Sequence, residues 1–191
     1  WDGRDVFDEE EEEEDHAGNE FGDDERGGGA RTPPRESSQT TTVRARTATE
    51  EYATDSYQNL LFSVCRFREI TGSYPQRITM VSYTFKRRRF ETLHANAIRW
   101  PPAQFEYLGV DPPKETGFDL EGSTRGELEN SYGPFEEDPY GCHTEGLLRK
   151  RRERNPFSRR APYELTCPEM GELLAWCGPE LIAEARVPWG K

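Results

Sequence analysis

What most limits the folds open to this chain is the division between a charged head and an apolar-patterned remainder. Residues 1–50 carry sixteen Asp or Glu against six Arg, so they hold −10 of the formal −12, leaving −2 on the other 141 residues. A segment so charged and so poor in apolar side chains cannot bury enough surface to offset the entropy lost on ordering. The acidic run Asp8 to Asp15, the triplet Gly27-Gly28-Gly29, the pair Pro33-Pro34 and the Ser/Thr stretch after it therefore assign 1–42 to a disordered acidic segment. Gly27 to Gly29 follow no strand pattern and open no helix pattern, so they form no phosphate loop. The remainder, roughly 110 to 130 foldable residues, suffices for one core.

The chain begins at Trp1 rather than Met, which reads as a sequence whose start lies further upstream. No run of about 18 apolar residues is present, so no spanning helix is expected, and a cytoplasmic location is the default. An acidic balance argues against nucleic acid as a partner. The basic stretch Arg149 to Arg160 leaves peripheral contact with an anionic surface open, but Glu145, Glu153, Glu136-Glu137-Asp138 and the acidic head offer compensation within the molecule. Cys65, Cys142, Cys167 and Cys177 include no CxxC pair, and four cysteines are too few for a disulfide scaffold. Cys65 falls in an apolar helical pattern and is expected to be a small buried hydrophobe.

From Thr49 the pattern changes. Thr49 is placed as a helix cap, with Glu50 and Glu51 in the first turn and Tyr52, Leu60, Leu61, Val64, Phe67 and Arg68 along one face. Gly72 and Pro75 stop that helix. The run Arg77 to Ser82 reads as a strand, about Lys86 to Arg99 as a second helix, and Phe105 to Val110 as a second strand. Helix, strand, helix, strand at these intervals is the rhythm of an open parallel sheet with helices on its faces. Two strands do not complete such a sheet, so the others are expected upstream of Trp1 or from another chain. Residues 114–143 read mostly as loop, with one helical turn near Thr124 to Asn130. Thr144 to Arg154 and Pro168 to Trp176 read as helices, and Leu181, Ile182 and Trp189 as partly packed tail residues. The resulting division is 1–42, 43–113 and 114–191.

The strongest chemical signal runs from Ser82 to Phe90. Ligands of parallel sheets lie beyond the carboxyl ends of the strands, where the next helix offers unpaired N–H groups. Lys86, Arg87, Arg88 and Arg89 crowd that helix mouth, which suits an anionic ligand or acidic neighbours. At 100° per residue, Arg88 and one of Lys86 or Arg87 are expected to face the ligand, and Arg89 solvent or a carboxylate. On the first helix Glu51, Asp55 and Asn59 recur every four residues, with Ser56 on the same turn. Glu51 and Asp55 are the candidates for proton transfer or cation binding; Ser56, Asn59, Ser82, Lys86 and Arg88 are the ligand-binding candidates. No third oxygen source marks a metal site. His94, about 12 Å along the helix from Lys86, is expected to be a packed histidine, and Cys142-His143 lacks the orienting group a nucleophile and base need.

These segments together resemble the later half of the DUF218 family in its eukaryotic form. The likeness rests on Thr49 to Ser63, Tyr74-Pro75 through Ser82, Phe85 to Phe90, Phe105 to Pro112, DPYGC at Asp138 to Cys142, RNPFSRR at Arg154 to Arg160 and PEMGELLAWCG at Pro168 to Gly178. It implies a partial Rossmann-like α/β domain, a parallel sheet with flanking helices. By the family motif Glu51, Ser56 and Asn59 match its polar helix positions, and Ser82 and Arg88 its strand-end and helix-mouth positions. A bacterial relative's association with S-adenosylmethionine adds a sulfonium ligand to the classes considered. The functional expectation is a domain for a small phosphorylated, nucleotide-like or S-adenosylmethionine-like ligand, with hydrolysis or group transfer as its chemistry; no cofactor is singled out. The alternative is a trafficking or scaffold protein acting through its charged segments.

Overall fold

The computed structural model describes residues 43–190; the acidic segment expected over 1–42 lies outside them. Val43–Arg46 forms a short 3-10 turn, and a compact unit begins at Thr47. That unit is a mixed α/β domain. Its first helix, α1, spans Ser56–Thr71. Asp55 starts it by accepting the Gln58 N–H at 2.8 Å, and Gly72, at φ 77°, ends it by donating to the Arg68 carbonyl. A left-handed cap of this kind favours glycine. Tyr57, Leu60, Leu61, Val64 and Cys65 form the buried stripe, and each fully buried Leu contributes about 2 kcal/mol relative to exposure.

Thr49 is not the cap: Asp55, six residues further on, takes that role, and Glu50 and Glu51 precede the helix. The Glu50 carboxylate instead receives the N–H groups of Tyr52 and Ala53 and the Tyr163 hydroxyl, which holds residues 50–53 in a turn rather than a helix. Its side chain thus competes with the helical backbone, as carboxylates next to a chain reversal commonly do.

Strands β1, Ile78–Ser82, and β2, Phe105–Gly109, pair in parallel with Ser82 opposite Gly109. Among the described residues they form one two-stranded sheet. Gly109 is needed there, because a Cβ would lie 2.4 Å from Thr84 Oγ1. Between the strands runs a helical segment of changing pitch. A 3-10 turn over Thr84–Lys86 is followed by a π-helical stretch over Arg89–His94 and a short α2, Ala95–Ala97. Tight and wide turns in succession alter the phase of the side chains, and Arg89, Phe90 and His94 all point inward.

After β2, α3 spans Leu120–Glu127, a second π-helical stretch covers Leu128–Tyr132, and α4 covers Gly133–Glu137. This run replaces the loop expected over 114–143. Its apolar content is too low to show a 3.6-residue period, because its buried residues are Glu127, Tyr132 and Phe135, spaced by a π turn. Helices α5, Glu145–Arg154, α6, Tyr163–Thr166, and α7, Gly171–Leu174, complete the described α-helices, and 3-10 turns cover Pro168–Met170 and Glu184–Arg186.

The core joins residues from both sides of position 113, including Leu61, Ile98, Trp100, Phe135, Tyr140, Leu147 and Met170. The tail packs well: Ile182 is fully buried, and Trp189 lies 4.7 Å from the Trp100 ring and donates to the carbonyls of Ile98 and Arg99. Cys65 is buried, as its position predicts, and a single disulfide joins Cys142 to Cys177 across 5.7 Å between Cα atoms. Among the described residues no helix is long and apolar enough to cross a membrane.

Candidate functional site

A cavity of about 220 Å³ opens where the start of α1, the helical turn after β1, the end of α3 and the inner face of α5 converge. Asp55 and Ser56 line it from α1, Lys86 and Arg89 from the turn after β1, Glu127 and Ser131 from the α3 run, and Lys150 and Arg154 from α5. Four basic side chains thus face two carboxylates. One of the carboxylates is already committed: Asp55 Oδ1 caps α1, and Oδ2 receives Arg151 Nε at 2.6 Å from outside the lining. The cavity therefore carries a positive excess at the dipole-positive end of a 16-residue helix.

The remaining pair is incompletely bonded. Arg89 and Glu127 are 6% and 7% exposed, and Arg89 Nε lies 3.0 Å from Glu127 Oε1, but the two are not aligned for a hydrogen bond and neither atom has another partner. Burial pushes the Glu127 carboxyl above its usual range, against the pull of Arg89, Lys86 and Lys150. Burial and the neighbouring Arg89 lower Lys86; burial and Arg154 lower Lys150. Desolvation leads in all three shifts; cationic neighbours add to it for Lys86 and Lys150 and oppose it for Glu127.

Beneath the lining, Ser56 Oγ lies 2.8 Å from His94 Nε2. His94 is fully buried among Tyr57, Phe90 and Phe135, and its Nδ1 has no partner. Desolvation, and then Arg89 and Arg151, hold its pKa well below the ordinary histidine value, so the ring is neutral. It is the packed histidine expected, but it touches the site rather than lying far along the helix from it, since the π turn brings His94 onto the same face as Arg89.

The structure brings together Asp55, Ser56 and Lys86 of the expected set and separates the others. Glu51 precedes α1, is exposed and accepts from Thr49 Oγ1; the expected stripe of Glu51, Asp55 and Asn59 is absent because the helix starts at Ser56. Asn59 is exposed on α1. Ser82 ends β1 and its carbonyl receives the Val110 N–H, outside the cavity lining. Arg88 is exposed, its guanidinium 4.2 Å over the Tyr132 ring, while Arg89 faces a buried carboxylate. The 3-10 and π turns rephase the segment, so Lys86 and Arg89, three residues apart, share the inner face. Glu127, Lys150 and Arg154 carry no sequence signal for the site, since only the packing of α3 and α5 against α1 gathers them.

The other basic groups are largely engaged. Arg152 pairs with Glu145, Arg149 lies 3.8 Å from Glu153, and Arg159 covers the Tyr52 ring. Asp138 plays no part in this compensation; its carboxylate receives the N–H groups of Cys142, His143 and Thr144 and fixes the loop that leads into α5. Those three N–H bonds outweigh burial and keep its pKa low, although burial is the largest single influence. The Cys142 sulfur is in the disulfide and His143 Nε2 bonds the Cys177 carbonyl, so neither is available for nucleophilic chemistry.

The chain is 37% identical over 133 residues to the uncharacterized protein YOR238W of Saccharomyces cerevisiae, a match that takes in 65% of this chain and 43% of that protein. The chain therefore spans less than half the length of this relative. No family model matches the chain. No solved structure matches it significantly.

Proposed function

We propose that this domain binds a small phosphate-bearing ligand in the cavity formed by α1, the turn after β1, the α3 run and α5. The observation that carries the reading is the unsatisfied Arg89 and Glu127 pair among Lys86, Lys150 and Arg154. An anion entering there supplies the acceptor that Arg89 Nε lacks and relieves the repulsion among the four cations. Burial raises the Glu127 carboxyl above its usual range, which makes it the carboxyl of the lining best suited to exchange a proton with a phosphate oxygen. Ser56 adds a hydroxyl at the helix mouth, and a neutral His94 with its proton on Nε2 donates to Ser56 Oγ and turns the hydroxyl proton toward the ligand.

The same charge excess disfavours a sulfonium ligand, which would bring a further positive charge. Two parallel strands flanked by helices, with Ser82 at the strand end before the basic turn, support the reading of this unit as part of a Rossmann-like domain of DUF218 type. If the site is catalytic, the chemistry that fits it is hydrolysis or group transfer at a phosphoryl centre, with the cations stabilising the charge that develops. Glu127 then replaces Glu51 and Asp55 as the proton-transfer candidate.

Titration of the chain with inorganic pyrophosphate by calorimetry tests the binding reading. Lys86→Met and Lys150→Met are expected to weaken binding at least about tenfold each, as the loss of a charge-assisted hydrogen bond implies. Arg88→Met, outside the cavity, is expected to change little. No heat of binding, or equal losses in all three variants, counts against the site.

A further inference from the structure

Next to the cavity lies an aromatic surface that the anion site leaves unused. Tyr83, Phe85 and Phe118 present three nearly parallel rings, with interplanar angles of 10°, 21° and 20°. Their centroids stand 5.4, 5.5 and 6.3 Å apart. Near-parallel rings this close cannot share one plane without clashing, so they overlap as offset stacks, Tyr83 against both Phe85 and Phe118, and form a stepped aromatic platform. Tyr83 and Phe118 are 38% and 36% exposed. Aromatic side chains of this size seldom sit grouped and open to water without an occupant.

Lys86 joins the platform to the cavity. Its Nζ lies 5.2 Å from the Tyr83 centroid and 5.7 Å from that of Phe85, and the same side chain lines the cavity beside Arg89 and Glu127. A single lysine side chain thus borders both places, so a ligand as long as a nucleoside phosphate can reach from one to the other.

We propose that Tyr83, Phe85 and Phe118 form a base-stacking subsite, so that the ligand of this domain is a nucleoside phosphate. This rests on the anion-site reading. The phosphate occupies the cavity between Arg89 and Lys150, Lys86 sits over the junction, and the heterocycle lies on the exposed part of the platform. Stacking accepts any base, since every base offers a π face, so the platform selects for the presence of a base rather than its identity.

The test compares AMP, ribose 5-phosphate and inorganic pyrophosphate on this chain by calorimetry, with Tyr83→Leu and Phe118→Leu as variants; leucine keeps apolar bulk at a surface position. AMP and ribose 5-phosphate differ only by the base, so AMP is expected to bind roughly 5- to 150-fold more tightly, the fold-change that base stacking supplies. Each leucine variant is expected to reduce that margin while leaving pyrophosphate affinity unchanged, with circular dichroism confirming the fold. Equal affinity for AMP and ribose 5-phosphate, or variants that bind AMP as wild type does, overturns the base subsite while the anion site stands. A loss of pyrophosphate and AMP affinity together in folded variants also overturns the subsite, by showing that the rings support the cavity. Failure of all three ligands to bind wild type overturns both readings.

Discussion

Arg89 and Glu127 form a buried ion pair whose closest atoms, Arg89 Nε and Glu127 Oε1, are 3.0 Å apart and yet share no hydrogen bond. Desolvating both charges is costly, and misalignment withholds part of the compensation. Removing one partner leaves the other charge buried alone, so Glu127→Leu is expected to destabilise the domain by about 3–5 kcal/mol. Replacing both, as in Arg89→Met with Glu127→Leu, is expected to restore stability to near wild type or above it, while abolishing anion binding. Urea denaturation of the four proteins measures this, and a single variant as stable as wild type contradicts the account.

His94 links stability to pH. Its folded-state pKa is well below the ordinary value, through desolvation first and then Arg89 and Arg151. A depressed pKa means the unfolded chain takes up a proton that the folded chain refuses. The contribution of His94 is therefore present above the unfolded value, about 6.5, and is lost as pH falls below it by up to roughly 1.4 kcal/mol per pH unit. Replacing His94 by Gln is expected to flatten this acid limb of the stability curve. Thermal melts between pH 7.5 and 5 would show it, and parallel slopes for both proteins would remove His94 as the cause.

The bridge between Cys142 and Cys177 closes a loop with a sequence separation of 35 residues. In the chain-entropy account such a closure contributes about 3–4 kcal/mol by restricting the unfolded state. Reduction, or Cys142→Ala with Cys177→Ala, is expected to lower the melting temperature by a corresponding amount. Alkylation of unreduced, denatured chain should label two of the four cysteines, Cys65 and Cys167. Labelling of all four before reduction would show that the bridge does not form.

The parallel pairing of β1 with β2 and the alternation of helix and strand were legible because each element carries its own period and its own stop signal. The start of α1 was not, because Thr49 and Asp55 are equally good caps locally and only contacts far along the chain decide between them. Glu50 is drawn away by Tyr163, and Asp55 is fixed by Arg151. The inward-facing arginine is hidden in the sequence for a related reason: a uniform 100° step selects Arg88, whereas successive 3-10 and π turns select Arg89. Half of the cavity lining was illegible in principle. Glu127, Lys150 and Arg154 lie in segments whose surface-like composition gives no sign that packing will turn them onto α1. The disulfide escaped for the same reason, since its cysteines meet through tertiary structure and share no local motif.

Asp55 separates a structural carboxylate from a catalytic one. One oxygen holds the Gln58 N–H at 2.8 Å and the other holds Arg151 Nε at 2.6 Å, while Arg151 also donates to the Tyr140 carbonyl at 2.7 Å. Asparagine caps a helix as well as aspartate does, so Asp55→Asn keeps the cap and gives up the charged bond, an expected loss of about 1.5–3 kcal/mol. Asp55→Ala gives up both and should lose a further 0.5–2 kcal/mol, roughly the worth of the cap. Equal losses in the two variants, read from urea midpoints, would mean that the cap adds nothing. Pyrophosphate affinity adds a second readout: if Asp55 serves only to position α1 and Arg151, the folded Asp55→Asn protein retains binding within a few-fold. A larger loss in that variant, with its fold intact, would return Asp55 to the ligand itself.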